Sequence, residues 1–310
     1  MRVLRFHDGA GVVSAGVLRG DRVSRLPVDS CAELWRMRRA DLASLLDRYS
    51  ADDLRLADAT LLPPVDGRTV VWGCGVTYVA SQQARIEEST GWGDVYRAVY
   101  DADRPELFFK SVPWHVVGDG QVIAVRGDST LDVPEPELAV VVNRFGEIVG
   151  LTICDDVSSR SIEAANPLYL PQAKIYLGSC AVGPMVRPAW EVADLYDLTI
   201  EMTIWRGAER AWHGTANTSL LHRRFDELVE HLVRADVYPD GAVLSTGTCL
   251  VPEEPFTLLA GDVVRVAVAE VGTLTTGVVE GLADMAWLAD GTDPPAHLRP
   301  QVPHPSEAGP

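Results

Sequence analysis

Leu131–Val142 reads LDVPEPELAVVV, and its two halves obey different rules. From Leu138 to Val142 the residues are Leu, Ala and Val without a break, the pattern of a strand covered on both faces. At its mouth stand Glu135 and Glu137. Side chains two apart on a strand point the same way, so both carboxylates face one side and repel each other unless something cationic sits between them. Pro136 suits a strand edge, because it fixes φ and gives up an N–H. On this segment alone, two glutamates left in water at a strand entry account for the pattern as well as a binding site does.

The next acidic feature downstream is ICDDVSSR, in which Asp155 and Asp156 end a second apolar strand. Asp156 follows Glu137 by 19 residues, which leaves room for a strand, a turn at GEI and a neighbouring strand. Such a hairpin brings Asp156 beside Glu135 and Glu137. Three carboxylates without convergent His or Cys suit a hard divalent cation, Mg²⁺ or Mn²⁺, with open positions for water and substrate oxygens. The competing account is three unrelated surface acids at strand ends. Lys174 lies about 18 residues further on, in the apolar, Pro-punctuated stretch LYLPQAKIY. A lone Lys is usually a solvated charge; one among Leu170, Pro171, Ile175 and Tyr176 is a candidate for burial, which frees it for base or carbonyl chemistry.

The chain has 310 residues, 47% hydrophobic and 23% charged, enough for one large domain and a smaller one. A formal charge of −17 argues against nucleic acid or anionic lipid as a partner, but a small anionic substrate remains compatible with a locally cationic site. Cys31, Cys74, Cys154, Cys180 and Cys249 form no CxxC pair, which fits a reducing compartment. The N-terminal MRVLRFHDGAGVV has no long apolar core of a signal peptide, and no run approaches membrane-spanning length, so a cytoplasmic protein is expected.

Short alternating segments with Gly-Asp and Asp-Gly turns mark residues 1–65 as a small α+β unit. Its helical stretch starts with Ser30 and Glu33 at capping-box spacing. LLPPVDG closes that unit, and 66–288 follow as a strand-rich domain, with a Pro-rich flexible tail at 289–310. Helices are expected near 80–100 and at 219–234, the latter capped by Asn217 and Thr218. Many strands and few helices predict a mixed-β, α+β fold rather than a Rossmann sheet.

PEPELAVVV, CDDVSSR, QAK ahead of AVGP, STGT and LLAGDVVRVAVAEVGTLTTGVV resemble, in order and spacing, the fumarylacetoacetate hydrolase family over roughly 66–280. The resemblance implies a β-roll or barrel catalytic domain behind a small N-terminal domain. It also implies a divalent metal on Glu135, Glu137 and Asp156, magnesium with Mn²⁺ or Ca²⁺ as substitutes, and Lys174 beside it. The turn Thr246-Gly247-Thr248 then meets a substrate carboxylate. WGCGVTYVASQQAR, VYDADRPELFFKS, AANPLYLPQAKIY and HGTANTS resemble more narrowly the 2-keto-3-deoxy-D-arabinonate dehydratase branch. Hydrolase members carry a water-activating His shortly after the Tyr of the first motif; counted from Tyr78, Ser81 stands in that place.

What the resemblance implies is loss of water from a 2-keto-3-deoxy sugar acid through a metal-stabilised enolate, giving 2-oxoglutarate semialdehyde. Lys174 and Glu106 are both candidates for the base that takes the C3 proton, and the sequence does not rank them. Arg85, Gly247 and Thr248 are candidates to bind the substrate carboxylate, and Thr77 and Ser81 its hydroxyls, each against the plainer reading of helix surface or loop structure. Other readings are a decarboxylase, isomerase or C–C hydrolase of another 2-oxo acid, including a tailoring enzyme of a specialised pathway, or an inactive binding protein. The resemblance points to a homo-oligomer, a dimer or tetramer.

Overall fold

The apolar run at 138–142 is central to the molecule, and the elements around it explain its lack of alternation. The structure is a computed structural model that describes residues 1–49, 54–79, 81 and 93–302. Its N-terminal part holds β1 (Arg2–His7), β2 (Val13–Arg19), β3 (Arg22–Arg25), α1 (Cys31–Trp35), α2 (Arg39–Arg48), β4 (Leu54–Arg55) and β5 (Thr60–Leu62). Then come β6 (Val70–Gly75), α3 (Gly93–Tyr100), β7 (Glu106–Ser111), β8 (Val116–Val117), β9 (Val122–Val125) and β10 (Asp132–Val133). The middle is β11 (Pro136–Val142), β12 (Ile148–Asp156), β13 (Ser158–Ser159), α4 (Arg160–Ala165), α5 (Leu170–Lys174) and β14 (Cys180–Pro188). The chain continues through β15 (Thr199–Arg206), β16 (Glu209–Asn217), α6 (Phe225–Val233), β17 (Ala242–Ser245), β18 (Asp262–Val268), β19 (Gly272–Glu280) and α7 (Ala286–Ala289).

One large sheet runs β4-β3-β2-β1-β14-β12-β11-β17-β6-β7, and a five-stranded sheet runs β16-β15-β18-β19-β9. All seven residues of β11 are buried. Leu138, Val140 and Val142 share a core with Ile200, Met202, Val264 and Val266 of the smaller sheet. Ala139 and Val141 turn the other way, into a core with Leu34, Trp35, Leu42 and Leu46 of the N-terminal helices. Both faces are therefore covered by apolar layers, which is why period two is absent from the run. The fold is sheet-dominated with few helices, as the sequence predicts.

The expected hairpin is present: β11 pairs antiparallel with β12, with Glu137 opposite Cys154 and Pro136 opposite Asp155. Its turn is tied by Asn143, whose Oδ1 accepts from Phe145 N and Glu147 N, both at 2.9 Å. Ser30 caps α1 as its spacing predicts, its Oγ accepting from Glu33 N at 3.3 Å. The helix expected at 219–234 is shorter: α6 starts at Phe225 behind Arg224, with no side-chain cap. Asn217 instead caps a 3₁₀ turn at Thr218–Leu220, and Leu221 makes a β-bridge to Tyr78. Most of the helix expected near 80–100 lies outside the described residues, which include α3 from Gly93. Among the described residues no helix is long and apolar enough to cross a membrane.

Candidate metal-binding active site

The hairpin sets the acids. Glu135, Glu137 and Asp156 offer carboxylate oxygens that all lie within 4.8 Å of one another. They are 2%, 1% and 1% exposed, so solvation by bulk water does not relieve their repulsion. The backbone of Glu135 is clamped from β12: its C=O accepts from Asp156 N at 3.0 Å, and its N–H donates to Asp155 Oδ1 at 2.9 Å. Glu137 Oε2 accepts from Ser245 Oγ at 2.5 Å and from the Gly247 amide at 2.7 Å. Those donors come from the end of β17, which pairs with β11 on its other edge.

Three buried cations face these acids. Lys174, at the C-terminal end of α5, donates to Glu135 Oε2 at 2.7 Å, Asp156 Oδ2 at 2.9 Å and Ser158 Oγ at 2.5 Å. Arg160 Nη2 donates to Glu135 Oε1 at 2.8 Å. Lys110 Nζ reaches the second oxygen of Asp156, Oδ1, at 2.5 Å. Glu137 is held by neutral donors, and burial, with the charges of Asp156 and Glu135 added, lifts its pKa well above the ordinary carboxylate range. Burial likewise pushes Asp155 up to about 7. A divalent cation among these oxygens would offset the repulsion that opposes ionisation of Glu137. An all-carboxylate, buried donor set of this kind fits a hard cation.

The remaining residues singled out in the sequence divide between this cluster and its walls. Lys174 is 1% exposed, as its apolar neighbours predict. Glu106 stands opposite Gly75 in the β6–β7 ladder, and Phe108, on the same face, carries its ring 5.5 Å from Lys174 Nζ. The Thr246 and Thr248 hydroxyls donate to backbone carbonyls, Thr246 to Leu138 O at 2.7 Å and Thr248 to Pro136 O at 3.1 Å. Gly247 between them has φ +93°, and a Cβ there would fall 1.8 Å from Thr77 Oγ1. Thr77 donates to Thr246 O at 2.7 Å, and Ser81 to Tyr78 O at 2.8 Å. These hydroxyls thus fix the loops that bring the Gly247 amide to Glu137. Arg85 lies outside the described residues.

Sequence reasoning passed over four contributors. Arg160 was in plain view at the end of CDDVSSR, and Lys110 keeps two-residue spacing with Glu106 and Phe108 in ELFFKS. Ser158 and Ser245 carry no signal that sets them apart from other serines; their roles exist only once the strands are paired.

Buried carboxylates carried by paired strands, with a buried lysine donating to two of them, define the class of site. Residues 72–279 match the family described as fumarylacetoacetate (FAA) hydrolase C-terminal, and the chain belongs to the fumarylacetoacetate hydrolase family. Within it, the chain is 49% identical over 236 residues to a protein of Haloferax volcanii named "Probable 2-keto-3-deoxyxylonate dehydratase", covering 76% of this chain and 81% of that one. It is 38% identical over 292 residues to the 2-dehydro-3-deoxy-D-arabinonate dehydratase of Saccharolobus solfataricus, covering 90% and 96%. A solved 2-keto-3-deoxy-D-arabinonate dehydratase complexed with magnesium and 2,5-dioxopentanoate superposes with a TM-score of 0.79 at 36% identity, covering 90% of this chain and 99% of that one.

Proposed function

We propose that this chain is a magnesium-dependent hydro-lyase that removes water from 2-keto-3-deoxy-D-arabinonate, or a close 2-keto-3-deoxy sugar acid, to give 2-oxoglutarate semialdehyde. The observation that carries this reading is the buried oxygen triad of Glu135, Glu137 and Asp156 with Lys174 donating to two of its members. The near full-length similarity to named dehydratases supports the substrate class. When bound, the cation supplies Lewis-acid polarisation of the 2-oxo group, which makes the C3 proton acidic.

The chain's own residues then divide the proton work. Lys174 has all three donors engaged, by Glu135, Asp156 and Ser158, and suits the acid role. Glu106, on β7, suits the base that takes the C3 proton. The C3–H bond breaks toward Glu106 and the C4–O bond breaks with a proton from Lys174, so hydroxide leaves as water. A proton shift from C5 to C3 turns the resulting alkene into a C4=C5 enol, which becomes the aldehyde as its hydroxyl proton passes to C4. Arg85 binds the carboxylate. The Thr246–Thr248 turn, whose hydroxyls and Gly247 amide are engaged within the protein, holds Glu137 and shapes the wall beside the substrate with Thr77 and Ser81. Ser81 standing where hydrolases of this resemblance carry a His favours dehydration over hydrolysis.

The same reading places the enzyme in the cytoplasm as a homo-oligomer in pentose catabolism; its five cysteines, all free and buried, suit a reducing compartment. Glu135→Ala and Asp156→Ala test it. Each should lower turnover of 2-keto-3-deoxy-D-arabinonate by at least about 10²-fold while the circular dichroism of the parent is kept. Turnover equal to the parent in either variant would sink the metal-dependent mechanism.

A further inference from the structure

Lys110 offers no ligand atom to a cation, yet it is fully enclosed, 1% exposed, and held by three oxygens. An ammonium has three N–H donors and no acceptor. Here it forms an ion pair with Asp156 Oδ1 at 2.5 Å, and it donates to Val157 O at 3.1 Å and Lys174 O at 2.6 Å. They belong to a member of the acidic triad, to the residue after it, and to the residue that carries the second buried ammonium. One side chain thus ties the end of β12 to the end of α5.

Two further observations say why this tie is needed. α5 has five residues, too few to hold its own geometry, and its last carbonyls lack helical partners. The Lys174 carbonyl is fixed from outside instead, by Lys110 and by Ser179 Oγ at 2.9 Å. The second observation lies in the ladder. Val71 pairs with Ser111 and Trp72 with Phe109, so the register shifts between them and Lys110 is the extra residue of a β-bulge. A bulge re-aims a side chain that would otherwise follow the pleat, and bulges of this kind gather beside active sites.

We infer that Lys110 is a positioning residue: it orients Asp156 toward the cation and anchors the main chain beneath Lys174. The inference rests on the metal-dependent function proposed above. Both halves are read with the full chain, using Mn²⁺ alone as the metal probe, followed by loss of the free-ion electron paramagnetic resonance signal, and steady-state kinetics on 2-keto-3-deoxy-D-arabinonate. Lys110→Met keeps the stem and removes the donors; the Mn²⁺ dissociation constant should rise about 10- to 100-fold, as for other groups that orient metal ligands. At saturating metal its kcat should fall while KM changes less than about three-fold, the mark of an interaction lost in the transition state. Lys110→Arg keeps a cation beside Asp156, but its planar fork cannot also donate to both the Lys174 and Val157 carbonyls. Its Mn²⁺ affinity should stay within about three-fold of the parent while kcat drops at least about ten-fold.

Parent-like Mn²⁺ affinity and kcat in Lys110→Met would overturn the inference. Parent-like kcat in Lys110→Arg would overturn it too, and that variant carries the test if the Met variant does not fold. A parent chain that binds no Mn²⁺ overturns the metal-dependent function itself and this inference with it, an outcome readable apart from the others.

Discussion

Gly73 and Gly75 stand opposite Phe108 and Glu106 in the β6–β7 ladder, and the side chains of β7 lie over them. A Cβ at Gly75 would fall 2.1 Å from Glu106 Oε2, so the carboxylate occupies space that any larger residue would claim. What would be displaced is the far end of a flexible side chain, which can swing aside cheaply. Gly75→Ala should therefore shift the thermal midpoint by only a few degrees, roughly the effect of 1 kcal/mol or less, yet cut kcat about ten-fold or more. Melting curves and initial rates on one preparation measure both. Unchanged kcat would show that the Glu106 carboxylate is not needed where it stands. At this scale the acids and Lys174 were legible, because charge on the lip of an apolar strand, or inside an apolar loop, is costly without a partner. For Lys110 the two-residue spacing with Glu106 and Phe108 was visible, but the bulge that carries it exists only once the strands are paired.

Among elements, β11 and its hairpin with β12 could be read from the sequence because both faces of β11 are covered and the turn is short. The partners on the far edges could not. The parallel pairings of β17 with β6, of β14 with β8 and of β19 with β9 join segments remote in the chain, and no local period encodes them. The start of α6 was misplaced for a related reason. Leu221 fits the helical spacing, but it is used in a bridge to Tyr78, and Asn217 is spent on a 3₁₀ turn. Tertiary contacts there outweigh the local pattern. The Thr246–Thr248 turn shows the opposite case: its motif was visible, while the structure adds that its hydroxyls bond to backbone and its Gly247 amide supports Glu137.

Across the whole molecule, one buried carboxylate binds distant parts together. Asp240 accepts from Arg36 Nε at 2.9 Å, beyond the end of α1, and from Arg68 N at 3.0 Å, just ahead of β6. Hydrogen bonds from Arg68, then Arg36, hold its carboxyl well below the usual range. A depressed folded-state pKa means that the stabilisation is complete above the unfolded value of about 3.9 and is lost as pH falls toward the folded one. Asp240→Asn should cost about 1.5 kcal/mol at pH 7, modest because both guanidiniums are largely in water. The gap between variant and parent in urea melts should narrow progressively below pH 4. An equal gap at pH 7 and at the lowest pH where both fold would contradict the ion-pair assignment.

The most direct test of the proposed chemistry is to follow 2-keto-3-deoxy-D-arabinonate by NMR with the chain stripped of metal by a chelator, and again after Mg²⁺ is restored. The expected result is an inert substrate without metal and stoichiometric 2-oxoglutarate semialdehyde once Mg²⁺ is present. Equal turnover in the presence of chelator, or release of pyruvate or CO₂ in place of the semialdehyde, would contradict it.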